Sequence, residues 1–163
     1  MNRPITLDNL DQHVAFRFAD VNDLPDVVRL YERFYEEAVY KDFLEWDHER
    51  ARETLHYGIS TDTRPHIVAL IDDQLVGFLA YILDHTFSKR PCQVMLEFYV
   101  VPEHRRSAIG RALLAMAVQE GRRADAGAFH APVASGLKSA RSLFNMFDKA
   151  GFEQFGFMMR RGL

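Results

Sequence analysis

Hydrophobic and polar positions follow two periods along the chain, and each change of period predicts an element boundary. Residues 14–19 (VAFRFA) alternate with period two, which predicts a short strand with Val14, Phe16 and Phe18 on one face. From Leu24 the spacing lengthens to three and four through Val27, Val28, Tyr31, Phe34, Tyr35 and Ala38, the pattern of an amphipathic helix. Asn22 or Asp23 can cap that helix, and Pro25 is tolerated in its first turn. Residues 47–58 predict a second, strongly charged helix with Asp47 as cap and Gly58 as stop. Residues 65–71 (PHIVALI) and 75–83 (LVGFLAYIL) read as a hairpin of buried strands turning at Asp72 and Asp73.

The loop around residues 85–92 gives way to a further strand over 93–101 (QVMLEFYVV), ended by Pro102. A helix over residues 109–124 follows, packing through Ile109, Ala112, Leu113, Met116 and Ala117. Residues 127–134 (GAFHAPVA) predict a strand that Pro132 confines to an edge or bulge. Residues 137–150 predict a helix with a Leu143, Phe144, Phe147 stripe, stopped by Gly151 with Phe152 making the hydrophobic contact of a C-terminal cap. Residues 151–160 close as a last strand with Phe155, Phe157 and Met159 on one face. The order β-α-α-β-β-β-α-β-α-β describes an α/β (α+β) fold, a mixed and mostly antiparallel sheet flanked by helices on both faces.

At 163 residues, 48% of them hydrophobic, the chain fits one domain over residues 1–163 with a core that needs no external staple. The single cysteine, Cys92, forms no internal disulfide and suits a reducing compartment. Neither a membrane-spanning run nor the apolar stretch of a signal peptide occurs, so a cytoplasmic protein without membrane association is expected. A net charge of −3 argues against nucleic acid as a general partner. The charge is nonetheless uneven: residues 20–53 carry eleven acids against five bases, whereas residues 103–123 carry five arginines against two acids. One stretch favours cations and the other anions.

The second stretch holds the most informative turn. Residues 102–111 (PEHRRSAIGR) lie between a strand and an amphipathic helix, where unpaired backbone N–H groups and the positive end of the helix dipole favour an anion. Gly110 permits close backbone approach, and Arg105, Arg106 and Arg111 suit phosphate oxygens. The alternative is a pair of solvated arginines before an ordinary helix start. Neither G-x-x-x-x-G-K-[ST] nor G-x-G-x-x-G is present, which disfavours the nucleotide-binding folds that use them.

These residues resemble the GNAT superfamily of N-acetyltransferases, whose signature is a strand, a proline-containing turn and R/Q-x-x-G-x-G/A opening a helix. The matching stretch is RRSAIG, with Ala108 where the family's first glycine usually stands. The resemblance extends over nearly the whole chain, including LFNMFDKAGF at residues 143–152. It implies acetyl-CoA or another short acyl-CoA as donor, and a primary amine as acceptor. By the same resemblance Phe98, Tyr99 and Val100 offer backbone groups to the pantetheine arm. Arg105, Arg106, Ser107, Ala108, Ile109, Gly110 and Arg111 would hold the pyrophosphate.

Acyl transfer to an amine needs a base for the amine and an acid for the departing thiolate. Glu97, a carboxylate in an otherwise apolar strand, is the candidate base, and the alternative is a glutamate on the exposed face of a half-buried strand. The family's usual acid is a tyrosine where this chain has Phe147. Three readings stay open: Tyr99 or another tyrosine takes the role, water protonates the thiolate, or the chain is a degenerate acyl-CoA-binding module acting as a sensor. His130 reads as either a base or a structural hydrogen-bonder. The histidines show no metal-ligand spacing, so no metal is expected. The acidic run over residues 42–53 reads as either a solvated helix or an entrance that draws a cationic amine, such as a small amine, a lysine or a peptide N-terminus. The aromatic last strand suggests a possible homodimer edge.

Overall fold

The computed structural model describes residues 14–86, 88–133, 140–154 and 156. Five strands form one sheet in the order β1-β2-β3-β4-β5: β1 (Val14–Phe18), β2 (His66–Ile71), β3 (Gln74–Asp84), β4 (Cys92–Val100) and β5 (Ala128–His130). The first four pair antiparallel, and β5 joins β4 in parallel. The helices are α1 (Leu24–Glu37), α2 (His48–Ser60), α3 (Ile109–Arg123) and α4 (Ala140–Lys149). This is the predicted mixed α+β sheet. α1 covers one face, stacking Tyr31 on Phe78 with ring centroids 4.4 Å apart. α3 covers the other, where buried Gln93 donates from Nε2 to the Ala117 carbonyl at 2.9 Å.

The β2–β3 turn is the two-residue hairpin expected. Asp72 and Asp73 both take left-handed backbone angles (φ 47° and 62°), the twist that a tight hairpin requires and that Asp tolerates. α4 ends in a Schellman arrangement, with Phe152 N–H on the Phe147 carbonyl (3.0 Å) and Gly151 N–H on that of Asp148 (3.0 Å). The Phe147 and Phe152 rings meet at 5.1 Å, the cap contact that the sequence predicted.

Four expectations change. Asp23 stands at the N-cap position of α1 as expected but makes no side-chain cap bond, because its carboxylate is held by Arg17 at 2.5 and 2.7 Å and by the Asp20 N–H at 2.8 Å, while Asp20 caps the short turn before it. α2 runs through Gly58 to Ser60. Phe144 is exposed, and Leu143, Met146 and Phe147 face the core in its place. β5 is only three residues long. The expected last strand and its dimer edge fall largely outside the described residues. Among the described residues no helix is long and apolar enough to cross a membrane.

Candidate active site

A bulge in β4 decides where Glu97 points. Tyr81 pairs with Met95 and Ala80 with Glu97, so Leu96 is an extra residue without a partner on β3. Strict alternation would send Glu97 to the α3 face after Gln93 and Met95. The extra residue reverses the alternation, and Glu97 and Tyr99 emerge on the α1 face.

On that face Glu97 enters a polar cluster. Tyr31 donates from its hydroxyl to Glu97 Oε2 at 2.9 Å, and Arg64 Nη2 donates to the same oxygen at 2.5 Å. Arg64 and Glu97 side chains remain 20% and 23% exposed, so the carboxylate is held yet reachable. The Tyr31 hydroxyl also lies 2.9 Å from His66 Nε2, and His66 Nδ1 lies 2.7 Å from the Arg64 carbonyl. Burial, helped by the Arg64 guanidinium, pushes the His66 pKa down to about 4. Gly58 admits Arg64: a Cβ there would sit 2.8 Å from Arg64 Cβ. Tyr40, in the short turn after α1, is pushed up in pKa by burial and by the charge of Glu97.

The far side of β4 is open. β5 pairs only with Cys92, Gln93 and Val94, so the strand beyond Val94 has no partner on that edge among the described residues. Val101 N–H bonds the Val76 carbonyl at 2.9 Å, and by alternation Tyr99 also points its backbone groups at β3. Phe98 and Val100 therefore turn theirs toward the open edge. The Val100 carbonyl already accepts from Arg105 Nε at 2.8 Å.

The open edge runs into the turn at residues 102–111. A 3-10 turn over Pro102–His104 leads to α3, whose first residue donates its N–H to Ser107 Oγ at 3.2 Å. The backbone N–H groups of Arg106, Ala108, Gly110 and Arg111 have no acceptor among the described residues. Arg106 and Arg111 are exposed and form no ion pair there. Ile109 is buried and anchors the helix start. A Cβ on Gly110 would lie 3.3 Å from Phe98 Cζ.

Arg105 belongs to the scaffold of this turn. Its Nη2 donates to Glu37 Oε2 at 2.6 Å, and its guanidinium lies 5.3 Å from the centre of the Tyr99 ring. The Tyr99 hydroxyl donates to the other Glu37 oxygen at 2.5 Å. Burial and that carboxylate push the Tyr99 pKa up, which opposes release of its proton. The cluster ties the end of α1 to the end of β4.

The sequence profile of the acetyltransferase (GNAT) family matches residues 24–152. The chain belongs to that family. A search of curated protein sequences finds no significant match. Among solved structures, an aminoglycoside N-acetyltransferase, AAC(6')-Iy, in complex with CoA is similar at 13% identity and TM-score 0.75, over 95% of this chain and 97% of that one. A ribosomal-protein-alanine N-acetyltransferase from Brucella melitensis biovar Abortus 2308 is similar at 15% identity and TM-score 0.71, over 91% and 99%. A predicted acetyltransferase with acetyl-CoA from Clostridium acetobutylicum shares 15% identity at TM-score 0.70, over 91% and 95%. At these identities the likeness is one of fold.

For this GNAT chain the remaining candidates divide simply. Phe147 is 5% exposed and packs on Phe152, so it is a core residue. His130 is exposed at the end of β5, opposite Val94. Among the described residues no group of three or more His, Cys, Asp or Glu is placed to hold a metal. Tyr31, Arg64, His66 and Glu37 were not singled out in the sequence. The available signals were a tyrosine inside an apolar helical stripe and a histidine opening a buried strand.

Proposed function

We propose that the protein transfers an acetyl or short acyl group from acetyl-CoA to a primary amine by direct attack in a ternary complex. The observation that carries this reading is Glu97, turned by the Leu96 bulge onto the α1 face of the strand whose open edge leads into the turn at residues 102–111. An amine attacks only as its neutral form, so a nearby carboxylate must take its proton. Glu97 is reachable, and Arg64 and Tyr31 fix its orientation.

The turn fits the donor's pyrophosphate, because N–H groups and guanidinium groups without a partner among the described residues lie within six residues of one helix start. Arg106 and Arg111 would supply charge, and the N–H groups of Ala108, Gly110 and Arg111 would supply hydrogen bonds. The open backbone groups of Phe98 would align the pantetheine arm. Bound acetyl-CoA supplies the activated acyl carbon and a thiolate leaving group. Arg105 and Tyr99 shape the turn, and Ser107 Oγ takes the Ile109 N–H.

Exposed Phe43 and Leu44 lie beside Asp42 and Glu45, close in sequence to Tyr40, whose hydroxyl feels the charge of Glu97. That combination suits a cationic amine with an apolar body. A thiol-release assay over a panel of amines, comparing the wild type with Glu97→Gln, tests the assignment. Turnover that depends on Glu97 supports it, and turnover indifferent to Glu97 counts against it.

A second reading, a non-catalytic acyl-CoA-binding module, draws support from two observations. Phe147 lacks a proton to give, and the Tyr99 hydroxyl is committed to Glu37. Acetyl-CoA binding with no turnover of any amine would favour it.

A further inference from the structure

The hydrogen bonds behind Glu97 are one proton short. The Arg64 carbonyl can only accept, so the proton of neutral His66 sits on Nδ1 and its Nε2 is an acceptor. Tyr31 therefore stands 2.9 Å from two acceptors, His66 Nε2 and Glu97 Oε2, with one hydroxyl hydrogen to offer. The charged carboxylate takes that hydrogen in the resting state. His66 Nε2, in a residue 1% exposed, is then left without a donor.

We propose that Tyr31 and His66 form a relay that accommodates the proton Glu97 takes from the substrate ammonium. The inference rests on the reading of Glu97 as the base. When an N–H bond of the ammonium breaks and an O–H bond forms on Glu97, the carboxyl goes from −1 to neutral and the nitrogen from +1 to neutral. The Tyr31 hydroxyl hydrogen turns to His66 Nε2, and the Tyr31 oxygen accepts from the new Glu97 O–H. His66 Nε2, the Tyr31 hydroxyl and Glu97 Oε2 then each have a partner, and His66 stays neutral throughout. His66 is a positioning residue in this scheme, because it acts on Glu97 only through Tyr31.

The charged and titratable groups facing this chain are Arg64 from the segment before β2, Tyr31 from α1 and Tyr40 from the turn after α1. Arg64 remains charged across the working range, since its pKa is pushed further up, and Tyr40 stays protonated. Neither changes state while Glu97 does.

The experiment uses His66→Phe, alone and in a Tyr31→Phe background. Two quantities are followed: the acid limb of kcat/KM, and the carboxyl 13C resonance of Glu97 in the free protein. His66→Phe removes a hydrogen bond made only when Glu97 carries the proton, so both midpoints should fall by about half to one pH unit. In the Tyr31→Phe background the same substitution should move neither. No shift, an upward shift, or an equal shift without Tyr31 would overturn the relay. The carboxyl resonance tests it without turnover, so a failure of the catalytic reading, seen as unchanged activity in Glu97→Gln, is separable. If His66→Phe does not fold, 15N NMR of His66 in the unmutated protein decides. The Nε2 resonance should move in step with the Glu97 carboxyl while Nδ1 keeps its proton. An imidazolium that forms before Glu97 is protonated, or an Nε2 indifferent to Glu97, would overturn the proposal.

Discussion

Arg105→Ala should cost stability before it costs coenzyme binding. The substitution removes a bond to the Val100 carbonyl at 2.8 Å, an ion pair with Glu37 at 2.6 Å and a ring contact with Tyr99 at 5.3 Å. The carbonyl bond contributes about 1 kcal/mol and the ring contact about 0.5 kcal/mol. Arg105 and Glu37 side chains are 28% and 30% exposed, so water screens the pair to no more than about 1 kcal/mol. Glu37 keeps the Tyr99 hydroxyl as donor, so no charge is left without a partner. The total is about 2 kcal/mol, which for a chain of this size lowers Tm by about 4–8 °C.

Arg106→Ala provides the contrast, because Arg106 is exposed and forms no ion pair among the described residues. Its Tm should move by less than about 2 °C, while the Kd for acetyl-CoA rises about tenfold with the loss of a charge-assisted phosphate contact. Thermal unfolding and isothermal titration with acetyl-CoA, run on both variants, read the two effects separately. An Arg105→Ala protein with unchanged Tm and abolished binding would refute this division of labour.

Gly58→Ala should destabilise by about 1–3 kcal/mol despite the better helix former, because its Cβ would meet Arg64 Cβ at 2.8 Å; urea unfolding checks it. Gly110→Ala should fold normally, since its nearest neighbours, Phe98 Cζ at 3.3 Å and Met146 Sδ at 3.6 Å, are ends of side chains. Gly110→Leu should lose acetyl-CoA binding by calorimetry. His66 titrates near 6.5 when unfolded and at about 4 when folded, so the unfolded chain binds more protons between those values and stability falls as pH drops through them. Urea unfolding at pH 7 and pH 4 should show about 3 kcal/mol of pH-dependent loss that is missing from His66→Phe.

The parts legible in the sequence were those fixed by local periodicity. The α1 stripe from Leu24 to Phe34, the Asp72–Asp73 turn and the Gly151 stop each follow from spacing or turn chemistry within a few residues. The turn at residues 102–111 was legible for the same reason: a strand end, a proline and an uncapped helix start are all local. The bulge was hidden because QVMLEFYVV is apolar on both faces, so no break in pattern marks Leu96 as the extra residue. The pairing of Arg105 with Glu37 was not legible, because Glu37 lies 68 residues away. Tyr31 and His66 are 35 residues apart, and each alone reads as an ordinary core residue. Gly58 was read as a stop, although its role is to make room for a side chain that follows the helix.

Turnover of a panel of primary amines with acetyl-CoA, followed as thiol release in the wild type and in Glu97→Gln at matched coenzyme saturation, decides whether Glu97 is the base of an acyl transfer. The predicted result is turnover of at least one cationic amine, with kcat lowered about 100-fold or more in Glu97→Gln and acetyl-CoA affinity unchanged. Equal turnover by the two proteins would contradict it.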